Sequence, residues 1–275
     1  MTKIHGRPCW YELATSKGDI GGAETFYAEV FGWSFADAGM EGFDYHLASS
    51  GGDMVAGLME MPPDIGEMPP FWMIYFAVDD ADAAAASVEA AGGAVHRPPA
   101  DIPGTGRFAI LADPQGAGFG ILQPLPMPDG MEGGHAFDQS KAGHGNWNEL
   151  MSTDPVAGLA FYSALFGWER SGAVEMGEMG VYQLFSHDGA DIGGMMGLGM
   201  APRPCWLPYF GVNGVEEAIA RIKGAGGSIA SPTKRRTAAA SDDRPATWAT
   251  GRAARVAASA AFGSHGRNHT SRAAA

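Results

Sequence analysis

Chemistry in this chain would start from two carboxylates, each standing two residues after a tryptophan: Trp10-Tyr11-Glu12-Leu13 and Trp147-Asn148-Glu149-Leu150. Side chains of an extended strand alternate between faces, so Trp10 shares a face with Glu12, and Trp147 with Glu149. If that face is inward, each Glu lies beside an indole. Loss of water there would raise the carboxylate pKa and prepare it as a general base. The same placement serves for orienting a ligand at a cavity mouth, or for accepting hydrogen bonds from a neighbouring loop. Glu12 and Glu149 are therefore the candidate catalytic residues, with ligand orientation or a structural role as the competing reading.

Other reactive side chains form no comparable groups. Cys9 and Cys205 are the only cysteines and lie far apart in sequence, so both read as free thiols packed at strand starts. His46, His96, His144 and His187 have no partner at the short spacing a compact metal site uses. Gly104-Thr105-Gly106-Arg107 imitates the start of a dinucleotide-binding loop, but Ala109-Ile110-Leu111 continues it as a strand where a helix is required. Methionines such as Met59, Met61, Met195 and Met196 could line an apolar cavity or fill a core equally well.

The segments that must hold the two Glu residues are repeated. Thr25-Phe26-Tyr27-Ala28-Glu29-Val30-Phe31-Gly32-Trp33 returns as Ala160-Phe161-Tyr162-Ser163-Ala164-Leu165-Phe166-Gly167-Trp168, each copy following its own Trp-x-Glu-Leu. Such repetition fixes the architecture before any local assignment. Alternation makes Pro8 to Thr15 a strand. Gly21-Gly22 leads into an amphipathic helix with Phe26, Tyr27, Val30 and Phe31 as its apolar stripe, ended by Gly32. Phe43 to Ser49 and Met54 to Met61 are strands around the turn Ser50-Gly51-Gly52-Asp53. After a proline-rich loop come a strand over Phe71 to Val78, an Ala-rich helix over Asp80 to Ala91, and strands Arg107 to Leu111 and Gly118 to Leu122 around Asp113-Pro114-Gln115-Gly116. Trp206 to Val212 then repeats Trp72 to Val78. Two levels of duplication give four quarter-modules. The fold class is therefore α+β, with two tandem domains over residues 8–124 and 144–232 and a Pro-, Gly- and Met-rich linker over 125–143.

The 275 residues are 45% hydrophobic and 18% charged, enough apolar material for a buried core, and no apolar run is long enough to span a bilayer. The start, Met1-Thr2-Lys3-Ile4-His5-Gly6, lacks the apolar stretch of a secretory signal, so a cytoplasmic location without a membrane partner is expected. A net charge of −13 argues against nucleic acid as a partner. That charge is uneven. Residues 233–275 hold eight of the 18 Lys and Arg and two of the 31 acids, leaving ten basic against 29 acidic residues, a balance of −19, in residues 1–232.

This basic tail does not continue the repeat. The first half's register predicts a counterpart of Asp113-Pro114-Gln115-Gly116 near 247–250, where the chain has Thr247-Trp248-Ala249-Thr250. With GC-rich codons, the neighbouring reading frame at that point spells an Asp-x-Gln-Gly string. A displaced reading frame from about residue 233 is expected, giving a disordered low-complexity tail. The second domain would then be truncated, short of its last three strands, with a sheet edge exposed. A genuine basic tail for an acidic partner is the competing reading.

Together these features resemble the vicinal oxygen chelate superfamily of glyoxalase, bleomycin-resistance and extradiol dioxygenase proteins. The residues that carry the resemblance are Phe26-Tyr27 with Phe31-Gly32-Trp33 after a strand, their copy at 161–168, and Asp113-Pro114-Gln115-Gly116 before a terminal strand. It implies βαβββ modules, paired so that each domain's curved sheet encloses a cavity. In catalytic members a divalent metal is held there by His, Gln or Glu. One recurrent ligand position, counted back from Asp79, Asp154 and Asn213, falls on Trp72, Trp147 and Trp206, with Trp10 the equivalent of the first module. The other falls near Gly57, Gly120 and Gly194. Trp offers only an N–H donor and Gly no side chain, so neither binds a metal. No cofactor is expected, and a divalent metal is not supported by these positions.

The resemblance then implies a protein that binds a small apolar or aromatic molecule in Trp-lined cavities. Its ligand-binding residues would be Trp10, Glu12, Trp72, Phe76, Trp147, Glu149, Trp206 and Phe210. A glyoxalase-like lyase or a hydroxylase, using a cavity Glu or a non-standard metal site, is the alternative. Self-association into a homo-oligomer is left open.

Overall fold

The computed structural model describes residues 4–62, 68–126, 134–199, 201–229 and 254–257. The first quarter of the repeat forms β1 (Pro8–Thr15), α1 (Ile20–Phe31), β2 (Ser34–Asp37), β3 (Tyr45–Ser50) and β4 (Asp53–Glu60). The second forms β5 (Phe71–Ala77), α2 (Ala81–Ala90), β6 (Ala94–Ile102), β7 (Gly106–Ala112) and β8 (Gly118–Pro124). The third forms β9 (Gly145–Ser152), α3 (Pro155–Phe166), β10 (Glu169–Glu175), β11 (Val181–His187) and β12 (Ala190–Gly197). The last comprises β13 (Cys205–Val212), α4 (Val215–Gly224) and β14 (Ala254–Ala257). Among the described residues no helix is long and apolar enough to cross a membrane.

Sheet order follows from the duplication. The first half is a sheet of order β2-β3-β4-β1-β5-β8-β7-β6, in which β1 and β5 meet antiparallel at the centre and each pairs in parallel with the last strand of its own module, β4 or β8. The second half repeats this as β10-β11-β12-β9-β13-β14. Local chemistry sets the helix ends. Gly32 and Gly167 take the left-handed conformation, at φ 73° and 72°, that closes α1 and α3 cheaply only for glycine. Asp154 caps α3 by accepting from the backbone N–H groups of Val156 and Ala157.

Three segments differ from expectation. Residues 94–102 form β6 although Pro98 and Pro99 lie within them. β6 is an edge strand, where a missing N–H costs no ladder bond, and its pairing with β7 shifts register twice. The described end of the linker is tied down: Ala136 and Phe137 are buried, and Phe137 bridges to Gly145. The bare edge expected beyond β13 is also not observed. β14 pairs antiparallel with Tyr209 to Val212, where the first half has β8 parallel to β5. An open edge offers unpaired N–H and C=O groups that any extended segment can satisfy. The remainder of the tail, with Thr247–Thr250 and the reading-frame question, lies outside the described residues.

The two halves interlock through the aromatic repeat. Phe76 on β5 packs against Phe166 and Trp168 of the other half, with ring centroids 5.1 and 5.0 Å away. Phe210 on β13 packs reciprocally against Phe31 and Trp33, at 5.4 and 5.1 Å. The indole of Trp33 donates to the Gly143 carbonyl at 2.8 Å, and that of Trp168 to the Gly6 carbonyl at 2.7 Å. Each half thus grips the segment leading into the other. Gly6 has φ 85°, and a Cβ there would run into the Phe166 carbonyl.

The Asp-Pro-Gln-Gly turn joins the same seam. Asp113 accepts from the backbone N–H groups of Gln115 and Ala117 and from the Tyr162 hydroxyl. Gln115 accepts from Ser152, Thr153 and the Asp154 N–H, and donates to the Asp154 carbonyl.

Candidate functional site

β1 carries two faces of different chemistry. Tyr11 and Leu13 are fully buried, and Tyr11 packs on Phe210 and donates to Asn148 of the other half. Trp10 and Glu12 lie on the opposite face of the strand. The Trp10 indole N–H donates to the Tyr45 hydroxyl at 2.9 Å. The Tyr45 hydroxyl donates to Glu12 Oε2 at 3.0 Å, and the Tyr75 hydroxyl to Glu12 Oε1 at 2.8 Å. An indole is only a donor, so its bond forces the single Tyr45 proton toward the carboxylate. The chain of bonds has one direction, and it ends on Glu12.

The second half builds the same unit. The Trp147 indole donates to the Tyr182 hydroxyl at 2.8 Å, and the Tyr209 hydroxyl to Glu149 Oε1 at 3.0 Å. Tyr182 also hydrogen-bonds Glu149. Val174, Met176 and Leu184 complete the walls of a cavity of about 260 Å³ around Trp147, Glu149, Tyr182 and Tyr209.

Glycines make room for these tyrosines. Gly57 lies opposite Glu12 in the β1–β4 register, and a Cβ on it would collide with the Tyr45 hydroxyl. Gly194 lies opposite Glu149 in the β9–β12 register, and a Cβ there would collide with the Tyr182 ring. Gly120 pairs with Tyr75, whose ring fills the space above it. The resemblance places metal ligands at these three glycines. Here that volume holds tyrosine rings, and among the described residues no group of three or more His, Cys, Asp or Glu could hold a metal ion. Glycine at these three positions offers a metal no side-chain donor.

Electrostatics are those of a shielded acceptor. Burial pushes Glu12 above the ordinary carboxylate value, opposed by the Tyr75 and Tyr45 hydroxyls and then by the Arg97 guanidinium. Burial likewise raises Glu149, opposed by Tyr182 and Tyr209. Tyr45, Tyr75 and Tyr182 are all raised, first by burial and then by the adjacent carboxylate, so they remain neutral donors. Burial also pushes the Cys9 thiol up to about 12, so at neutral pH it is a packed thiol, not a nucleophile.

The structure brings Trp10 with Glu12 and Trp147 with Glu149, and it separates the other four expected cavity residues from them. Trp72 pairs with Leu13 and Trp206 with Leu150, whereas Glu12 faces Met73 and Glu149 faces Leu207. Directly opposed residues of a ladder share a face. Trp72 and Trp206 are therefore on the helix side, where their indoles donate to Tyr27 and Tyr162. Phe76 and Phe210 are fully buried between the halves. All four are core residues. Counting back from the strand-ending Asp or Asn failed by one place on β5 and β13, and one place inverts the face.

The four tyrosines were not anticipated. A signal was present, since Tyr45 and Tyr182 each follow their tryptophan by 35 residues. Tyr75 and Tyr209 occupy equivalent places in the repeated strands Trp72 to Val78 and Trp206 to Val212.

Comparison with known proteins agrees with this architecture. The description "Glyoxalase/Bleomycin resistance protein/Dioxygenase superfamily" matches residues 13–121. CFP32 of Mycobacterium bovis, provisionally named a glyoxylase, is 35% identical over 228 residues, covering 82% of this chain and 84% of its own. The anthracycline biosynthesis protein DnrV of Streptomyces peucetius is 33% identical over 242 residues, covering 82% and 83%. The Mn(II)-bound glyoxalase from Novosphingobium aromaticivorans shares the fold at a TM-score of 0.55 and 19% identity, over 81% of this chain and 71% of its own. With two such relatives matched across most of their length, and a tandem sheet of the same design, the chain belongs to the glyoxalase/bleomycin resistance protein/dioxygenase superfamily.

Proposed function

We propose that the protein binds a small, largely apolar or aromatic molecule in its Trp- and Tyr-lined cavities, without a divalent metal at the family's usual positions. The observation that carries this reading is the exchange at Gly57, Gly120 and Gly194, where tyrosine rings stand in place of metal-binding side chains. What remains is an aromatic cavity with one carboxylate, suited to gripping and orienting a ligand. Metal analysis of the purified protein, together with quenching of tryptophan fluorescence by aromatic compounds, tests it. Saturable quenching with no stoichiometric metal is expected. A divalent metal held at one or more per chain would sink the proposal.

A second reading is favoured by one observation, the raised pKa of the two buried carboxylates. Such a group is poised as a general base, and the provisional glyoxylase name of a relative points to lyase chemistry. Turnover of a hemithioacetal that disappears in Glu12→Gln or Glu149→Gln would establish this reading over simple binding.

A further inference from the structure

We propose that the cavity around Glu149 selects ligands bearing a protonated amine on an aromatic or apolar body. This rests on the reading of the cavity as a small-molecule site and adds the chemistry it prefers.

The first ground is the direction of the hydrogen bonds. The Trp147 indole can only donate, so the Tyr182 hydroxyl accepts from it and turns its proton to Glu149. Tyr209 also spends its proton on Glu149. Both hydroxyl donors are committed before a ligand arrives. The capacity left for a ligand is acceptor capacity, centred on the carboxylate, so the ligand must bring the donor.

The second ground is the wall. Three aromatic rings, of Trp147, Tyr182 and Tyr209, surround the carboxylate, and the remaining lining is Val174, Met176 and Leu184. Aromatic faces attract cations, and an apolar surround strengthens a charge-assisted bond to a carboxylate. An anionic ligand would meet the carboxylate unscreened.

The third ground is the contrast with Glu12. The Arg97 guanidinium acts on Glu12, whereas among the described residues no cationic side chain is placed against Glu149. The full chain also carries a net charge of −13, which favours cations over anions near the protein.

The test uses the full chain and three soluble probes of one shape: 2-phenylethylamine, 2-phenylethanol and 3-phenylpropionate. Binding is followed by tryptophan fluorescence and calorimetry at neutral pH. The amine should bind at least about tenfold more tightly than the alcohol, and the carboxylate weakest. In Glu149→Gln the preference for amine over alcohol should collapse, while retained alcohol binding shows that the cavity is still formed. If the alcohol binds as well as the amine, the cationic preference is wrong and the cavity reading stands. A preference that survives Glu149→Gln also overturns the inference, since the amine is then held elsewhere. If none of the three probes binds, both readings fall together.

Discussion

Around Glu12 the sheet runs on through β4 on one side and through β5 and β8 on the other, and a glycine lies beneath each tyrosine that reaches the carboxylate. Around Glu149 the first relation recurs at Gly194 beneath Tyr182, but beyond Tyr209 the sheet continues into β14, running the other way. The Trp–Tyr–Glu unit survives this difference unchanged. It needs only the strands that contribute its Trp and Glu, its Tyr and the glycine between them, which both halves possess. The apolar wall around Glu149 comes from the third module, with Val174 on β10 and Leu184 on β11, and the fourth module adds Tyr209.

The largest expected effects test whether the halves are equivalent in packing. Phe76→Ala and Phe210→Ala each remove a fully buried ring from the seam and should cost about 3–5 kcal/mol, read by urea denaturation. Equal losses are expected, because each ring meets the aromatic end of the opposite helix. A much smaller loss at Phe210 would mean that the second half packs loosely despite its matching geometry. Gly57→Ala and Gly194→Ala come next. A methyl group at either position displaces a tyrosine from its carboxylate, and overpacking of this kind costs about 1–3 kcal/mol. If either variant keeps wild-type stability and ligand binding, the glycine does not hold space for the tyrosine. Trp33→Phe and Trp168→Phe keep the ring and remove the N–H that grips Gly143 or Gly6, for a loss of about 1 kcal/mol each.

The duplicated helix, the strand before it and the order of modules were all legible in the sequence, because apolar periodicity and glycine punctuation report local structure directly. The carboxylates were legible too, since alternation alone puts Trp10 with Glu12. What alternation could not supply was the phase of β5 against β1. Trp72 lies opposite Leu13 and Tyr75 opposite Trp10, and likewise Trp206 opposite Leu150 and Tyr209 opposite Trp147, one place from the expected phase. A slip of one residue turns a strand's whole set of side chains to the other face. This phase places Trp72, Phe76, Trp206 and Phe210 in the core and sets Tyr75 and Tyr209 on the face of the two carboxylates. In the sequence, Gly57, Gly120 and Gly194 show only that a metal-binding side chain is missing. Their positive role, leaving room for a neighbour's ring, depends on contacts across strands that the sequence does not display.

The smallest effect separates the two carboxylates by charge. Arg97 is solvent-exposed, lies over the Phe108 ring at 5.1 Å and lowers the Glu12 pKa against the rise imposed by burial. Both Glu residues titrate above their ordinary value of 4.5 in the folded protein. The folded state therefore keeps these protons to higher pH than the unfolded chain does. Their contribution to stability is greatest below the unfolded value and falls as pH rises through the window up to the folded value. Arg97→Gln removes the opposing charge, moves the Glu12 titration further up and steepens that fall, while the Glu149 titration stays where it was. Carboxyl carbon NMR titration resolves the two groups, and urea midpoints from about pH 4.5 to about pH 7 read the consequence for stability. If Glu12 titrates unchanged in Arg97→Gln, the two sites do not differ in charge, and the contrast between them reduces to the shape of the cavity alone.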